Sequence, residues 1–427
     1  MILHTVRPGE SVYSIARRYG ADPQTIILDN ELEDPNQLII GQSLVIQVND
    51  IPHTVTRGQS LYSIARGYGV PLDALIAANP QITDPARISI GQILLVPIRP
   101  AKLGTIEVNG YAFPNISMDT LNRTLPYLTY LSIFSYQVRS DGTLTDINDT
   151  PLIQAARAQN VAPMLVITNI EEGASFSSEL AHDILSNPTV QDTLLDNILL
   201  LLESKNYAGL SIDFEYVYSE DRENYNNFLA KAAQKLQPMG YILSTALAPK
   251  ISADQPGLLY EAHDYAAHGE LVDHVVLMTY EWGYTYGPAM AVAPINQVRR
   301  VLDYAVTAIP SEKILMGMPN YGYDWTLPFV QGSAARSLSN AQAVELARRF
   351  GATIQYDSTS QAPFFNYYDP ETRSRHEVWF DDARSIQARL RLVDQYNLGG
   401  VSYWTINRFF TQNWLVLSSM YDIAKVI

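Results

Sequence analysis

Eight apolar, β-rich runs follow one another from residue 105 onward, and they constrain the fold more than any other feature of the chain. They are TIEVNGYAF, YLTYLSIFSYQV, APMLVITNI, AGLSIDFEYV, YILSTALAP, HVVLMTYEW, KILMGMPNYGY and GGVSYWTI. Most are separated by segments with helical periodicity, such as DRENYNNFLAKAAQKL at 221–236. A parallel partner strand is reached only through a crossover, so strand alternating with helix points to a parallel sheet. Eight such units over about 320 residues predict an α/β fold of the (β/α)8 barrel type, with function at the C-terminal strand ends. The seventh link is anomalous. It contains ATIQYDS and HEVWFDD and reads as an α+β insertion spanning 326–393, beside the barrel mouth.

Ahead of the barrel lies an internal repeat. HTVRPGESVYSIARRYG at 4–20 is matched by HTVTRGQSLYSIARGYG at 53–69, a period of 49 residues, and Asn30 is echoed by Asn79. Each copy reads strand, helix, helix, strand. Ser11 and Ser60 are placed to cap the first helix, whose apolar face in the first copy is read as Tyr13, Ile15, Ala16 and Tyr19. The pattern resembles the LysM domain, a βααβ module that binds glycans containing N-acetylglucosamine. That resemblance implies a shallow groove near Gly9, Ser11 and Asp34 to Leu38 in the first copy, and near Gly58, Ser60 and Asp84 to Ile88 in the second. The same residues would also serve simply as turns and caps. The expected division is 1–49 and 50–99 for the two modules and 100–427 for the barrel, with IRPAK (98–102) as linker. Two weak sites in tandem hold a polymer by avidity.

Charge narrows the partner. A net charge of -15 over 427 residues disfavours nucleic acid and anionic membranes, which reward Lys and Arg. No apolar run approaches the roughly 20 residues of a membrane span, and the start, MILHTVRPGES, has no signal-peptide pattern. With no cysteine there are no disulfides, thiolate metal sites or cysteine nucleophiles. The seven histidines show no H-E-x-x-H spacing, His263 and His268 are read as solvated helix residues, and no phosphate-cradling glycine motif occurs. Neither a metal nor another cofactor is expected.

The fourth run holds GLSIDFEY, in which Asp213 and Glu215 are two residues apart. Alternate strand side chains share a face, so both carboxylates should emerge together at the catalytic end of the barrel. Such a pair can divide labour, with Glu215 as general acid and Asp213 orienting it or stabilising positive charge.

Residues 207–216 resemble the signature strand of glycoside hydrolase family 18, D-G-x-D-x-D-x-E. The match assigns Glu215 as catalytic acid and Asp213 as the last aspartate, while Ala208 and Ser211 replace the two earlier acids. Ser211 is expected to hydrogen-bond Asp213 in place of the missing carboxyl. MTYEW (278–282) resembles the family's M-x-Y element, implying Tyr280 as a hydroxyl donor to the substrate acetamido group and Glu281 as a sugar contact. SYWTI (402–406) supplies Trp404 as the floor of the sugar subsite. Tyr111, Tyr136, Asn320 and Tyr321 fall at predicted strand ends, where each is either a substrate contact or barrel packing. The resemblance implies retaining hydrolysis assisted by the substrate's own acetamido oxygen.

Tandem LysM-like modules before such a barrel resemble the cortex-lytic N-acetylglucosaminidases of spore-forming bacteria. This implies a monomeric peptidoglycan hydrolase acting in germination, made in the mother cell without a signal peptide and bound to wall glycan around the spore. A chitinase is the rival enzyme reading. A wall-binding lectin with an inactive barrel, or a scaffold anchored by its LysM modules, are the rivals outside enzymes.

Overall fold

The computed structural model describes residues 1–98 and 101–427; part of the expected IRPAK linker, residues 99 and 100, lies outside the described residues. The first repeat folds as β1 (Ile2–Thr5), α1 (Val12–Tyr19), α2 (Pro23–Asp29) and β2 (Ser43–Ile46), with β1 antiparallel to β2. The second gives β3 (Asp50–Thr54), α3 (Leu61–Tyr68), α4 (Leu72–Ala77) and β4 (Ile93–Pro97). Ser11 and Ser60 each close a reciprocal capping box, with Ser14 and Ser63, satisfying helix N–H groups that would otherwise be orphaned. The buried face of α1 is Val12, Ile15 and Ala16. Tyr13 is 69% exposed, contrary to the sequence reading, because it sits one residue past Val12 and therefore off the buried stripe. The echoed asparagines have a structural cause. Asn30 Nδ2 donates to the carbonyls of Ile26 and Val45 while its Oδ1 accepts from Val45 N–H, and Asn79 straps α4 to β4 in the same way.

Eight parallel strands then close a barrel: β5 (Gly104–Ala112), β6 (Tyr130–Gln137), β7 (Ala162–Thr168), β8 (Gly209–Asp213), β9 (Ile242–Leu247), β10 (His274–Leu277), β11 (Ile314–Pro319) and, after an insertion, β17 (Gly400–Trp404). Closure is through β17 and β5, with Gly400 opposite Glu107 and Tyr403 opposite Gly110. All eight runs read from the sequence are barrel strands. Their outward residues pack under the helices in one continuous core, and the lumen is filled by Tyr111, Phe134, Val166, Ala246, Val276 and Leu315.

The insertion is an antiparallel sheet of β12 (Gly322–Leu327), β13 (Arg336–Leu338), β14 (Gln355–Asp357), β15 (Ala362–Asp369) and β16 (Ser374–Trp379), ordered β13-β12-β16-β15-β14 with a helix at Asn340–Arg349. It starts earlier than the sequence reading placed it. Its last helix, Ala383–Tyr396, belongs instead to the barrel's outer ring, where Ile386, Leu390 and Val393 join the barrel core. A short β18 (Tyr421–Ile423) pairs with the start of β5.

The two repeats are not equivalent in their surroundings. Val45 of the first is part of the barrel core and Ile39 part of the insertion core. Gln412 Nε2 donates to Asn30 Oδ1 and to Ser43 O, both at 2.9 Å, and Ile354 N–H donates to Ile40 O at 3.0 Å. In the second repeat the corresponding outer face is open, with Ile90, Ile93 and Leu95 at 70%, 61% and 44% exposure.

Candidate active site

The strand carrying GLSID is buried throughout and ends at Asp213, which places Glu215 two residues beyond, over the barrel mouth. Three side chains fix that overhang. Asn169, immediately after β7, donates from Nδ2 to Glu215 O at 2.8 Å and accepts from Glu215 N–H at 2.9 Å. His263 accepts from Ala248 N–H at 2.9 Å through Nδ1, which leaves Nε2–H to donate to Phe214 O at 3.0 Å. Ser178 donates its hydroxyl to Tyr216 O. His263 and His268 are therefore buried, not solvated: one holds backbone, and the other packs edge-on against Tyr225 with ring centroids 4.8 Å apart.

Above Asp213 lies a cavity of about 660 Å³ whose lining includes Asp213, Glu215, Tyr280, Glu281, Tyr111 and Trp404. Trp404, at the end of β17, meets Phe134 and Tyr111 edge to face, at centroid distances of 4.8 and 5.6 Å, which locks the indole as a wall. Burial raises the Asp213 carboxyl well above the usual range. Burial also raises Glu215, and the charges of Asp213 and Glu281 add to the effect, which favours the protonated acid at Glu215. Oδ1 of Asp213 is buried with no hydrogen-bond partner among the described residues. Tyr280 is held neutral, its pKa raised by burial and by the neighbouring Tyr111 and acids, so its hydroxyl stays a donor.

Glu281 has a backbone φ of 65°, a left-handed conformation that costs a non-glycine residue about 1–2 kcal/mol. The turn aims its carboxylate at the Tyr321 and Tyr323 hydroxyls, the latter at 3.1 Å. Tyr323, on the inserted sheet, had no signature in the sequence.

Two expectations change. Ser211 is fully buried below Asp213, but its hydroxyl pairs with Tyr111 Oη at 3.4 Å and not with Asp213. Tyr136 is not in the cavity. A register irregularity in β6 between Ile133 and Tyr136 turns its ring outward, where its hydroxyl bonds Asp149 and Lys205 Nζ. Asn320 faces a second cavity and acts on backbone, donating to Thr405 O at 3.1 Å and to Arg408 O at 2.6 Å. That second cavity, about 500 Å³, shares Glu281 and Trp404 with the first and adds Phe113, Asn407 and Arg408.

In the repeats, the expected groove positions have local roles. Ser11 and Ser60 are helix caps, and the Asp34 and Asp84 carboxylates accept the N–H of Asn36 and Ala86 within their own loops, both at 3.0 Å. Gly9 and Gly58 are exposed at φ 81° and 84°, while Leu38 and Ile88 lean on their module cores. The loop of the first repeat also faces the insertion, where Arg348 Nη1 donates to Gln37 Oε1 at 3.2 Å.

A barrel with an acid projecting from the end of its fourth strand, beside a buried carboxylate and an aromatic wall, defines a glycoside hydrolase. The model of Glycosyl hydrolases family 18 matches residues 109–408 and that of the LysM domain matches residues 4–47 and 53–97. The chain belongs to glycosyl hydrolase family 18 and carries two LysM domains ahead of the barrel. It is 44% identical over 432 residues to the Cortical fragment-lytic enzyme of Bacillus subtilis, covering 100% of this chain and 99% of the relative. It is similar, at a TM-score of 0.91 and 43% identity over 100% of this chain and 99% of the other, to the crystal structure of the Bacillus megaterium QM B1551 spore cortex-lytic enzyme SleL. A chitinase from Chromobacterium violaceum ATCC 12472 shares 25% identity and a TM-score of 0.68 over 74% of this chain and 98% of that one.

Proposed function

We propose that the protein cleaves the β-1,4 bond that follows N-acetylglucosamine in spore-cortex peptidoglycan during germination. The observation that carries the chemistry is Glu215, its pKa raised by burial, beside the buried, unpartnered Oδ1 of Asp213, in one cavity with the Tyr280 hydroxyl. Support for cortex as the substrate comes from full-length likeness to relatives named for cortex lysis.

Glu215 gives its proton to the leaving glycosidic oxygen while the substrate's acetamido oxygen attacks C1, so retention needs no protein nucleophile. Tyr280 orients the acetamido carbonyl. Asp213 accepts from the acetamido N–H and balances the positive charge of the oxazolinium that forms, which gives its orphaned oxygen a partner. Water then attacks C1 and returns its proton to Glu215. Ser211 leaves Asp213 without the second buried carboxyl of the fuller family pattern, so Asp213 carries the negative charge alone.

The LysM modules hold the polymer: the second offers its loops freely to wall glycan, near Gly58, Ser60, Asp84 and Ile88, while the first, with Gly9, Ser11, Asp34 and Leu38, is fixed to the barrel and orients the captured strand toward the mouth. No helix among the described residues is long and apolar enough to cross a membrane, and the spore coat and cortex region, reached as a monomer from the mother cell, is the location this reading assigns.

Purified cortex fragments test the proposal. Wild type should release products ending in reducing N-acetylglucosamine, and Glu215→Gln should bind the wall without cutting. Faster turnover of chitin oligomers than of cortex fragments would establish the chitinase reading instead, and binding without release by both proteins would make the barrel a lectin.

A further inference from the structure

The second cavity at the barrel mouth has no part in the chemistry above, and its composition differs from the first. Among the residues lining either cavity, Arg408 is the one cationic side chain. In a chain of net charge -15, an anionic substituent gains nothing from the overall field and needs a local cation. The Arg408 side chain is exposed, makes no ion pair among the described residues, and has one hydrogen bond, from Nη1 to Ser337 Oγ at 3.2 Å. The rest of its planar donor fork is open, a shape that suits a carboxylate.

The mount is rigid. Asn320 donates to the carbonyl of Arg408 and to that of Thr405, and Asn407 Oδ1 accepts from Phe113 N–H at 2.9 Å, so the turn after β17 is tied to both neighbouring strand ends. Ser337 comes from β13, which gives the inserted sheet a part in the site.

Position decides which sugar this cavity meets. Glu215 protonates the leaving oxygen, so the departing half of the glycan lies on the side of Glu215, with Tyr216, Tyr260 and Trp282 in the first cavity. The second cavity shares Trp404 and Glu281 but lacks both Asp213 and Glu215; with the departing half assigned to the Glu215 side, it is assigned to the other, non-reducing side. In a glycan that alternates N-acetylglucosamine with N-acetylmuramic acid, the sugar there is muramic acid whenever N-acetylglucosamine is cleaved. Its carboxylate, on the lactyl group or on the peptide joined to it, is what chitin lacks.

We infer that the cavity between Trp404 and Arg408 is a subsite for a muramyl residue on the non-reducing side of the cleaved N-acetylglucosamine, with Arg408 pairing its carboxylate. This rests on the peptidoglycan reading above and adds the residue that sets its specificity.

The test uses full-length protein and tetrasaccharides of alternating N-acetylmuramic acid and N-acetylglucosamine that differ only in the non-reducing muramyl group. One has a free lactyl carboxyl, one has it amide-linked to L-alanine, and one has it as a neutral primary amide. In wild type, kcat/KM should favour a charged form over the neutral one by about 10- to 100-fold, the range of a charged hydrogen-bonded pair. Arg408→Gln should abolish that ratio, and Arg408→Lys, which keeps charge but not the fork, should restore part of it. Preference for the free lactyl form places the ion pair at the sugar, and preference for the alanyl form places it on the peptide. An unchanged ratio in Arg408→Gln overturns the inference. The same ratio read as Kd values in Glu215→Gln, with and without Arg408→Gln, decides the subsite even if wild type cleaves nothing, a result that would remove the hydrolase reading alone.

Discussion

His263 donates from Nε2 to the carbonyl of Phe214 at 3.0 Å, and so holds the residue between the two acids of the site by its backbone. Because Nδ1 accepts from Ala248 N–H, the ring must be neutral to make both bonds. Burial lowers its pKa from 6.5 to about 4. The unfolded chain therefore binds more protons than the folded one between these values. Stability from this group is complete above pH 6.5 and falls by about 3 kcal/mol as the pH drops from 6.5 to 4. His263→Phe should remove that slope, measured by denaturant unfolding at several pH values, and should also lower kcat by releasing the Phe214 peptide. A variant that unfolds with the wild-type acid dependence would show that the neutral ring is not the cause.

Glu281 contributes to the raised pKa of Glu215 by charge repulsion, after burial and Asp213. Removing a negative charge makes a neighbouring acid easier to ionise, so Glu281→Gln should lower the Glu215 pKa. The protonated form is then lost sooner on the alkaline side. The descending limb of kcat/KM should move to lower pH by up to about one unit, in addition to any lost sugar contact. A limb that stays in place in a pH profile would mean that the carboxylate is too well neutralised by Tyr321 and Tyr323 to be felt.

Gly317 lies beneath the hydroxyl donor. A Cβ there would stand 2.5 Å from Leu277 O and 2.8 Å from Cε1 of Tyr280. The first obstacle is backbone and cannot swing away, so Gly317→Ala should force the β10 and β11 ends apart and tilt Tyr280. We expect a loss of about 1–3 kcal/mol in unfolding free energy. A fall in kcat of about tenfold or more should accompany it, since small displacements of positioning groups are costly. Wild-type kcat in a variant of reduced stability would show that Tyr280 is not set by this contact.

The barrel was legible because eight apolar, β-rich runs are separated by helical segments, and the acids were legible because spacing by two survives any uncertainty in strand boundaries. What escaped has a common physical origin. Asn169 and His263 act on main-chain atoms of distant segments, and nothing in their own neighbourhood announces that. Tyr136 was misplaced because the irregularity between Ile133 and Tyr136 reverses the alternation that assigns a face. Tyr13 illustrates the same limit on a helix, where a one-residue phase error moves a side chain from core to solvent. Ser211 lay where the pattern put it, but its partner depended on Tyr111, a hundred residues away in sequence.

The repeats share a sequence but differ in what lies beside them, and two glycines at equivalent positions measure this. Gly41 and Gly91 have nearly the same φ, 85° and 84°, so alanine incurs the same left-handed backbone cost of about 1–2 kcal/mol in each. Around Gly91 a Cβ would meet nothing within 4 Å, whereas at Gly41 it would stand 1.8 Å from Ile354 O. Gly41→Ala must therefore break the Ile354 to Ile40 hydrogen bond and lift the first module from the inserted sheet, taking Ile39 out of the insertion core. Limited proteolysis should cut the 1–49 module away from the barrel in Gly41→Ala while Gly91→Ala stays as resistant as wild type at that boundary. Cleavage of cortex fragments should slow more in Gly41→Ala than in Gly91→Ala, because a module that orients the glycan strand loses its fixed relation to Glu215. Equal behaviour of the two variants would mean that the contacts to the barrel side, from Gln412, Val45, Arg384 and Thr411, suffice to hold the first module, and that its contact with the insertion is incidental.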